Sequence, residues 1–154
     1  MTTRHRTPEP RCQVARTLDI VGEKWALLIV RDALRGRTRF SEFRESLGAP
    51  TDILAARLAS LVESGILEKR AYRESGSRER SSYHLTEAGR GLQLVIAAIL
   101  EWNDRFDPAL TGPGSVVVDP ADGTALHLVF CGPDKRLVTP DDVAIVPGDG
   151  GAWA

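Results

Sequence analysis

Glycines divide the first half of the chain into four segments that have helical character. The first segment carries Val14, Leu18 and Val21 at spacings of four and three residues, which places them on one helix face. The second, 25–34, is apolar nearly all round, a pattern typical of a helix in the middle of a core. We expect a left-handed backbone cap at the glycine that ends each segment: Gly22, Gly36, Gly48 and Gly65.

The third and fourth segments each begin with a helix-start signal. Thr38 is placed to cap a short helix over 40–47. Pro50, followed by two polar residues, opens a helix over about 51–64. The apolar residues of this helix fall on one face, which predicts that the opposite face is exposed: Leu54, Leu58, Leu61 and Val62.

After Gly65 the apolar period changes from helical to that of strands. Two strands are predicted, 66–73 and 81–86, with the polar turn 74–80 between them. Thr86 then caps a long helix. The apolar residues of that helix form a stripe over about four turns: Leu92, Val95, Ile96, Ile99, Trp102 and Phe106. The predicted fold class is therefore mostly α with a small β hairpin (α+β).

The sequence beyond residue 106 has a different composition. Segment 107–115 is rich in proline and glycine, as linkers are. The rest is predicted to be a small β-rich extension with one hairpin and two further short strands: 116–118 and 124–130, then 137–139 and 143–146. The predicted divisions are a flexible arm, a main domain, a linker and the extension: 1–10, 11–106, 107–115 and 116–154.

Charge is distributed unevenly between these parts. Residues 1–106 hold 18 Lys and Arg against 14 Asp and Glu, whereas residues 107–154 hold 2 against 7. Sixteen of the 18 cations are arginine, which forms planar, bidentate contacts with phosphate and guanine. A basic body with an acidic extension is compatible with nucleic-acid binding by the body alone.

Other kinds of chemistry have little support in the sequence. The longest apolar run, 94–100, is far below the roughly 20 residues that span a bilayer. No apolar stretch follows the basic start of the chain, so we expect a cytoplasmic protein. Two cysteines and three scattered histidines lack metal-ligand spacing, and no phosphate loop or nucleophile elbow is present. We therefore expect no enzyme, no catalytic residues, no metal or other cofactor, and no membrane partner.

Several short motifs follow one another in a specific order along residues 11–106. They include Gly22-Glu23-Lys24-Trp25, the segment 36–43 and the segment 83–89. Together with the order of four helices, hairpin and long helix, they resemble HxlR-type winged helix-turn-helix regulators, a branch of the MarR-like group. The resemblance implies a homodimer that binds a pseudo-palindromic operator in double-stranded DNA, usually as a repressor. Family members mostly end soon after the long helix, whereas this chain continues for 48 residues.

The resemblance places the helix over about 51–64 in the major groove. Short side chains and one arginine lie on its outer face and flanks, and these are expected to contact base edges: Thr51, Asp52, Ala55, Ala56 and Arg57. Arg37, Thr38 and Arg39, at the start of the third helix, are expected to contact the DNA backbone. Arg78 and Arg80 on the wing turn 74–80, with Arg73 at its base, are expected to contact phosphates or the minor groove. The alternative is that these are surface or capping residues without DNA contact.

The stripe on the long helix is wider than a domain of this size can cover, which favours an interface. We predict a homodimer formed through Val14 and Leu18 of the first helix and through the stripe residues Leu92, Val95, Ile96, Ile99, Trp102 and Phe106. The alternative is that the acidic extension folds back over the stripe within one chain.

Cys12 lies near the expected N-terminus of the first helix, with Arg11 and Arg16 close in sequence, a setting that stabilises a thiolate. In the family, a cysteine at this place serves some members as a redox or electrophile sensor, so an oxidant or a small molecule is a candidate effector. A thiol without a sensing role is the alternative. For the whole chain, the alternative function is a ligand-sensing or protein-interaction module that has lost DNA readout.

Overall fold

The computed structural model of the chain describes residues 12–73 and 79–146. Its first four helices follow the predicted order: α1 Gln13–Val21, α2 Lys24–Leu34, α3 Phe40–Leu47 and α4 Thr51–Glu63. Helix α2 contacts the three other helices, as its nearly all-round apolar pattern predicts. Ile29 of α2, Phe43 of α3 and Leu54 of α4 are fully shielded from solvent in the resulting core.

Three of the four predicted glycine caps are confirmed. Gly36, Gly48 and Gly65 have φ values of 90°, 61° and 72°, in the left-handed region. The prediction for Gly22 is wrong, because its φ of −71° is right-handed. Glycine is favoured there for a different reason: a Cβ at this position would lie 2.4 Å from the carbonyl oxygen of Leu18.

The start of α3 is capped by a residue inside the helix. The carboxylate of Glu42 accepts the backbone N–H of Thr38 at 2.8 Å and that of Arg39 at 2.9 Å. This is the acidic half of a capping box, and Arg39 is the N-cap residue. The prediction that Thr38 caps α3 is therefore wrong. The carbonyl of Thr38 instead accepts the N–H of Tyr83 at 2.7 Å.

Two antiparallel strands, β1 Leu67–Tyr72 and β2 Arg80–Leu85, confirm the predicted hairpin. Leu67 pairs with Leu85 at one end, and Tyr72 pairs with Arg80 at the other. Arg39 forms a bridge with Ser82, so the segment that leads into α3 lies along the free edge of β2. The hairpin thus holds the start of α3 close to the sheet.

The predicted long helix is two helices, α5 Glu87–Gly91 and α6 Gln93–Phe106. Thr86 caps the first of them as predicted, since its Oγ1 accepts the N–H of Gly89 at 3.1 Å. The interruption falls at Leu92, which is buried in the core directly after Gly91. Two glycines within five residues weaken the helix here, because glycine costs about 1 kcal/mol relative to alanine in a helix interior.

The described residues group into two compact units that divide between Ile96 and Ala97. This boundary lies within α6, whereas the sequence places the end of the main domain at residue 106. Among the described residues, no helix combines the length and the hydropathy needed to cross a bilayer. The fold class, mostly α with a small β hairpin, is confirmed.

Regular β structure in the extension is sparser than the sequence predicts. Strands β3 Phe130–Cys131 and β4 Leu137–Val138 pair with each other, and Val118 forms a single bridge with Ala125. The hairpin of 116–118 and 124–130 is thus reduced to one bridge, and the described segment 143–146 forms no strand. Most apolar side chains of these segments are exposed, so the strands have little core to pack on.

Candidate nucleic-acid interface

Helix α4 presents a face of small side chains to solvent. Thr51, Asp52, Ala55 and Ala56 are all exposed, as is Ile53, while Leu54, Leu58 and Leu61 are buried in the core. Because most of these exposed side chains are short, the helix backbone is able to approach a partner surface closely. An alanine methyl group can contact the thymine methyl group in the major groove.

Arg57 is the predicted site residue of α4 that does not lie on this face. Its side chain is only 13% exposed, and its Nη2 donates to Oε2 of Glu23. The sequence suggests that Arg57 is the long donor available to guanine. In the structure this guanidinium is paired within the chain, so contact with a base requires the ion pair to break.

Arg39 and Arg80 lie at the same end of the small sheet. The guanidinium carbon of Arg39 lies 4.9 Å from the centre of the Tyr72 ring, within the range of a cation–π contact. Tyr72 is the cross-strand partner of Arg80, and both arginines are exposed. Positive charge is thereby concentrated at this end of the hairpin.

The loop that carries Arg39 is held by a charged carboxylate. The pKa of Glu42 is lowered from its usual 4.5, first because the N–H of Thr38 and then that of Arg39 donate to the carboxylate. Partial burial opposes this shift, and the positive charges of Arg39 and Arg37 add to it. Glu42 is therefore ionised at neutral pH and fixes the backbone at the start of α3.

Arg37 faces the buried carboxylate of Asp32. Its Nη1 lies 3.9 Å from Asp32 Oδ1, which also accepts hydrogen bonds from Nε and Nη2 of Arg31 at 3.0 and 2.9 Å. Asp32 is fully buried, so Arg37 has a counter-charge inside the domain. Arg37 also lines a cleft of about 450 Å³ together with Arg70 and Arg90.

The wing is described only at its base. Arg73 and Arg80 are both exposed where the strands end. Arg78 falls within 74–78, outside the described residues. The structure thus gives a location for two of the three predicted wing arginines.

The residues predicted for a dimer interface differ in their exposure to solvent. Val14 and Leu18 on α1 are exposed, as are four residues of α6: Val95, Ile99, Trp102 and Phe106. Leu92 instead belongs to the core, and Ile96 is partly buried against it. Leu94, which the sequence analysis does not name, is 68% exposed.

Cys12 is the N-cap residue of α1 and is exposed. It is thus next to the free backbone N–H groups of the first turn of that helix, which favour an anion. Cys131 is exposed on β3 in the second unit. In 12–73 and 79–146, no three His, Cys, Asp or Glu side chains are grouped so that they could hold a metal ion.

The sequence alone assigns no role to four residues that hold the candidate site in place: Glu23, Asp32, Glu42 and Tyr72. A glutamate three residues after an N-cap is a recognisable signal, but the sequence favours Thr38 as the N-cap, and Glu42 lies four residues after it. Tyr72 lies in a predicted strand opposite the wing arginines. Glu23 and Asp32 find their partners through tertiary packing, so no local spacing indicates them.

Comparison with known proteins places these features in a family. The HxlR-like helix-turn-helix profile matches residues 20–110 of this chain. An uncharacterized HTH-type transcriptional regulator of Mycobacterium bovis, Mb3122, is 43% identical over 100 residues, which are 65% of this chain and 62% of that relative. The matched region thus spans less than two thirds of the relative's own length.

Solved structures extend the similarity beyond the helix-turn-helix. PA1607, a candidate transcription factor, matches 90% of this chain and 96% of its own length, with 37% identity and a TM-score of 0.77. The redox regulator HypR in its reduced form matches 62% of this chain and 95% of its own, with 30% identity and a TM-score of 0.55. The extension therefore has a counterpart in PA1607.

Proposed function

Because the chain belongs to the HxlR-like helix-turn-helix family, we propose that it is a homodimeric, sequence-specific DNA-binding regulator of transcription that acts as a repressor in the cytoplasm. Helix α4 enters the major groove of double-stranded DNA. The start of α3 and the wing 74–80 contact the sugar-phosphate backbone or the adjacent minor groove.

The exposed N-terminal half of α4 carries this proposal. Its core-facing residues are buried, so the helix is held rigidly with Thr51, Asp52, Ala55 and Ala56 facing outward. Exposed arginines lie on other elements of the same domain, with Arg39 before α3 and Arg80 on the hairpin. Cationic flanks bind phosphates and set the register, while the helix contacts base edges.

Two copies are needed for a geometric reason. One domain supplies one α4, whereas a two-fold dimer places two of them about 34–36 Å apart on one side of a duplex. The exposed apolar residues on α1 and α6 support an isologous interface.

Selection of bound duplexes from a random pool, followed by fluorescence anisotropy, tests this function. We expect a two-fold symmetric sequence to be enriched and bound in preference to unrelated DNA. Arg39→Ala is expected to weaken binding to both, because it removes a sequence-independent contact. Arg136→Ala removes the same charge from the extension and is the matched control, expected to bind as wild type. No enrichment, or equal binding by Arg39→Ala and wild type, counts against the proposal.

Cys12 is proposed to make DNA binding responsive to oxidants or electrophiles. Its exposure at the N-terminus of α1 and the similarity to a redox regulator support this role. An oxidant is expected to change the DNA affinity of wild type and of Cys131→Ser, but not of Cys12→Ser. Equal responses of all three proteins would remove Cys12 as the sensor.

The alternative, an interaction module without DNA readout, draws on the small side chains of α4 and the internal pairing of Arg57. It predicts that the selection enriches no sequence. The same experiment therefore separates the two functions.

A further inference from the structure

One ion pair joins α4 to the junction between α1 and α2. Arg57 on α4 donates to the carboxylate of Glu23, 34 residues earlier in the sequence. Glu23 is the N-cap residue of α2 and directly follows Gly22, the C-cap residue of α1. Helix α4 is therefore linked by a charged contact to the point where two other helices meet.

The two partners of this ion pair differ in their exposure. The side chain of Arg57 is 13% exposed, whereas that of Glu23 is 66% exposed. Nε of Arg57 is buried and has no hydrogen-bond partner among the described residues. A guanidinium that has lost most of its hydration requires a counter-charge. Glu23 supplies that charge, so its removal leaves Arg57 either uncompensated or displaced from its packing.

A shift of α4 would affect DNA recognition because the outer face of this helix carries short side chains. Ala55 and Ala56 contact bases only when the helix backbone lies deep in the groove. Long, flexible side chains can adjust to a small shift of a helix, whereas alanine cannot. Recognition by this helix therefore depends on its orientation more than recognition through long polar side chains does.

We propose that Glu23 is a specificity-determining positioning residue, which holds α4 in its DNA-reading orientation through Arg57. Glu23 touches no base, and it acts through the position of α4. The inference rests on the proposed DNA-binding function. Because Glu23 follows the C-cap residue of α1, the same contact also links α4 to a helix of the proposed dimer surface.

The experiment compares full-length wild type with Glu23→Ala, Glu23→Gln and the control Glu63→Ala, which removes an exposed carboxylate from the end of α4 itself. Affinities are measured for the selected operator and for an unrelated duplex. Glu23→Ala is expected to lose roughly tenfold in operator affinity, since residues that couple sites act at this scale. Its affinity for unrelated DNA is expected to stay within about twofold, because phosphate contacts tolerate misorientation.

Two variants separate positioning from general destabilisation. Glu23→Gln keeps an oxygen acceptor for Arg57 and is expected to retain part of the lost operator affinity. In an Arg57→Ala background, Glu23→Ala is expected to cause no additional loss. Glu63→Ala is expected to behave as wild type.

Three outcomes overturn the inference. One is an unchanged ratio of operator to non-operator affinity in Glu23→Ala. Another is a parallel loss of both affinities together with a lower melting temperature, which indicates a structural role alone. The third is the same additional loss in the Arg57→Ala background. If wild type selects no duplex at all, the proposed function fails and the inference with it, whereas the first three outcomes leave the function intact.

Discussion

At the scale of single residues, several charged side chains of this domain form contacts within the chain that stabilise its backbone and helices. Glu42 binds two N–H groups, Asp32 accepts from Arg31, and Glu23 pairs with Arg57. A count of arginines therefore overstates the charge that is available to DNA. The residues that face solvent determine which contacts can form.

Replacing Glu42 with alanine is expected to destabilise the protein by about 1 kcal/mol at pH 7, since two backbone N–H groups lose their acceptor. The lowered pKa of Glu42 means that this stabilisation is present above the usual pKa and is lost as the pH falls through the lowered one. Urea unfolding of both proteins as a function of pH measures the difference. A difference that persists unchanged below about pH 3 would argue against the charged cap.

Some residues of the candidate site could be predicted from local sequence spacing, and others could not. The exposed positions of α4 follow from the helical period, and the structure places Thr51, Asp52, Ala55 and Ala56 outward as that period predicts. The position of Arg57 could not be predicted, because its partner is 34 residues away in sequence. Contact of any of these residues with DNA stays a prediction.

At the scale of elements, close backbone packing fixes how α5 meets the sheet. Gly89 is buried, and a Cβ there would lie 2.2 Å from the carbonyl oxygen of Ile66. Thr86 strengthens the same junction, since its Oγ1 donates to the carbonyl of Gly65 at 2.6 Å. The glycine thus allows an approach that no other residue permits.

Gly89→Ala is expected to lower the free energy of unfolding by about 2 kcal/mol, in the range of overpacked sites. Gly91→Ala in the same helix is the matched control, because a Cβ there meets no atom within 4 Å. We expect the control to be neutral or to gain up to about 1 kcal/mol from helix propensity. Equal effects of the two substitutions in thermal unfolding would contradict the close approach.

Element order and most helix starts could be read from the sequence, because periodicity and glycine caps are local signals. The interruption between α5 and α6 at Leu92 could not be predicted, because the apolar stripe continues across it. In the structure, Leu92 is buried in the core at this interruption. The sequence predicts more strand in the extension than the described residues contain, because alternation leads to a strand only where a core exists to bury one face. Hydrophobic patterning gives the elements, and tertiary packing decides where they end.

At the scale of the whole molecule, exposed apolar side chains on α6 support the proposed dimer. Trp102 and Phe106 are both exposed, and their ring centroids lie 5.6 Å apart. Aromatic residues are enriched in the centre of interfaces. The two rings therefore form a compact apolar surface at the end of α6.

If the proposed dimer forms through α6, Trp102→Asp is expected to shift the protein towards monomer, because a carboxylate would be desolvated at the proposed interface. Leu110→Asp is the control, since Leu110 is fully exposed after α6. Light scattering after size exclusion measures the mass, with wild type and control at twice the chain mass of 16.8 kDa. A monomeric wild type would contradict the proposed dimer.

If a dimer binds a duplex through its α4 helices and arginines, the salt dependence of binding to the selected operator tests this binding mode most directly. With about 6–10 phosphate contacts, affinity is expected to fall by about 10³–10⁵ between 50 and 200 mM salt. Operator binding that does not change across this range, or no binding at low salt, would contradict the account.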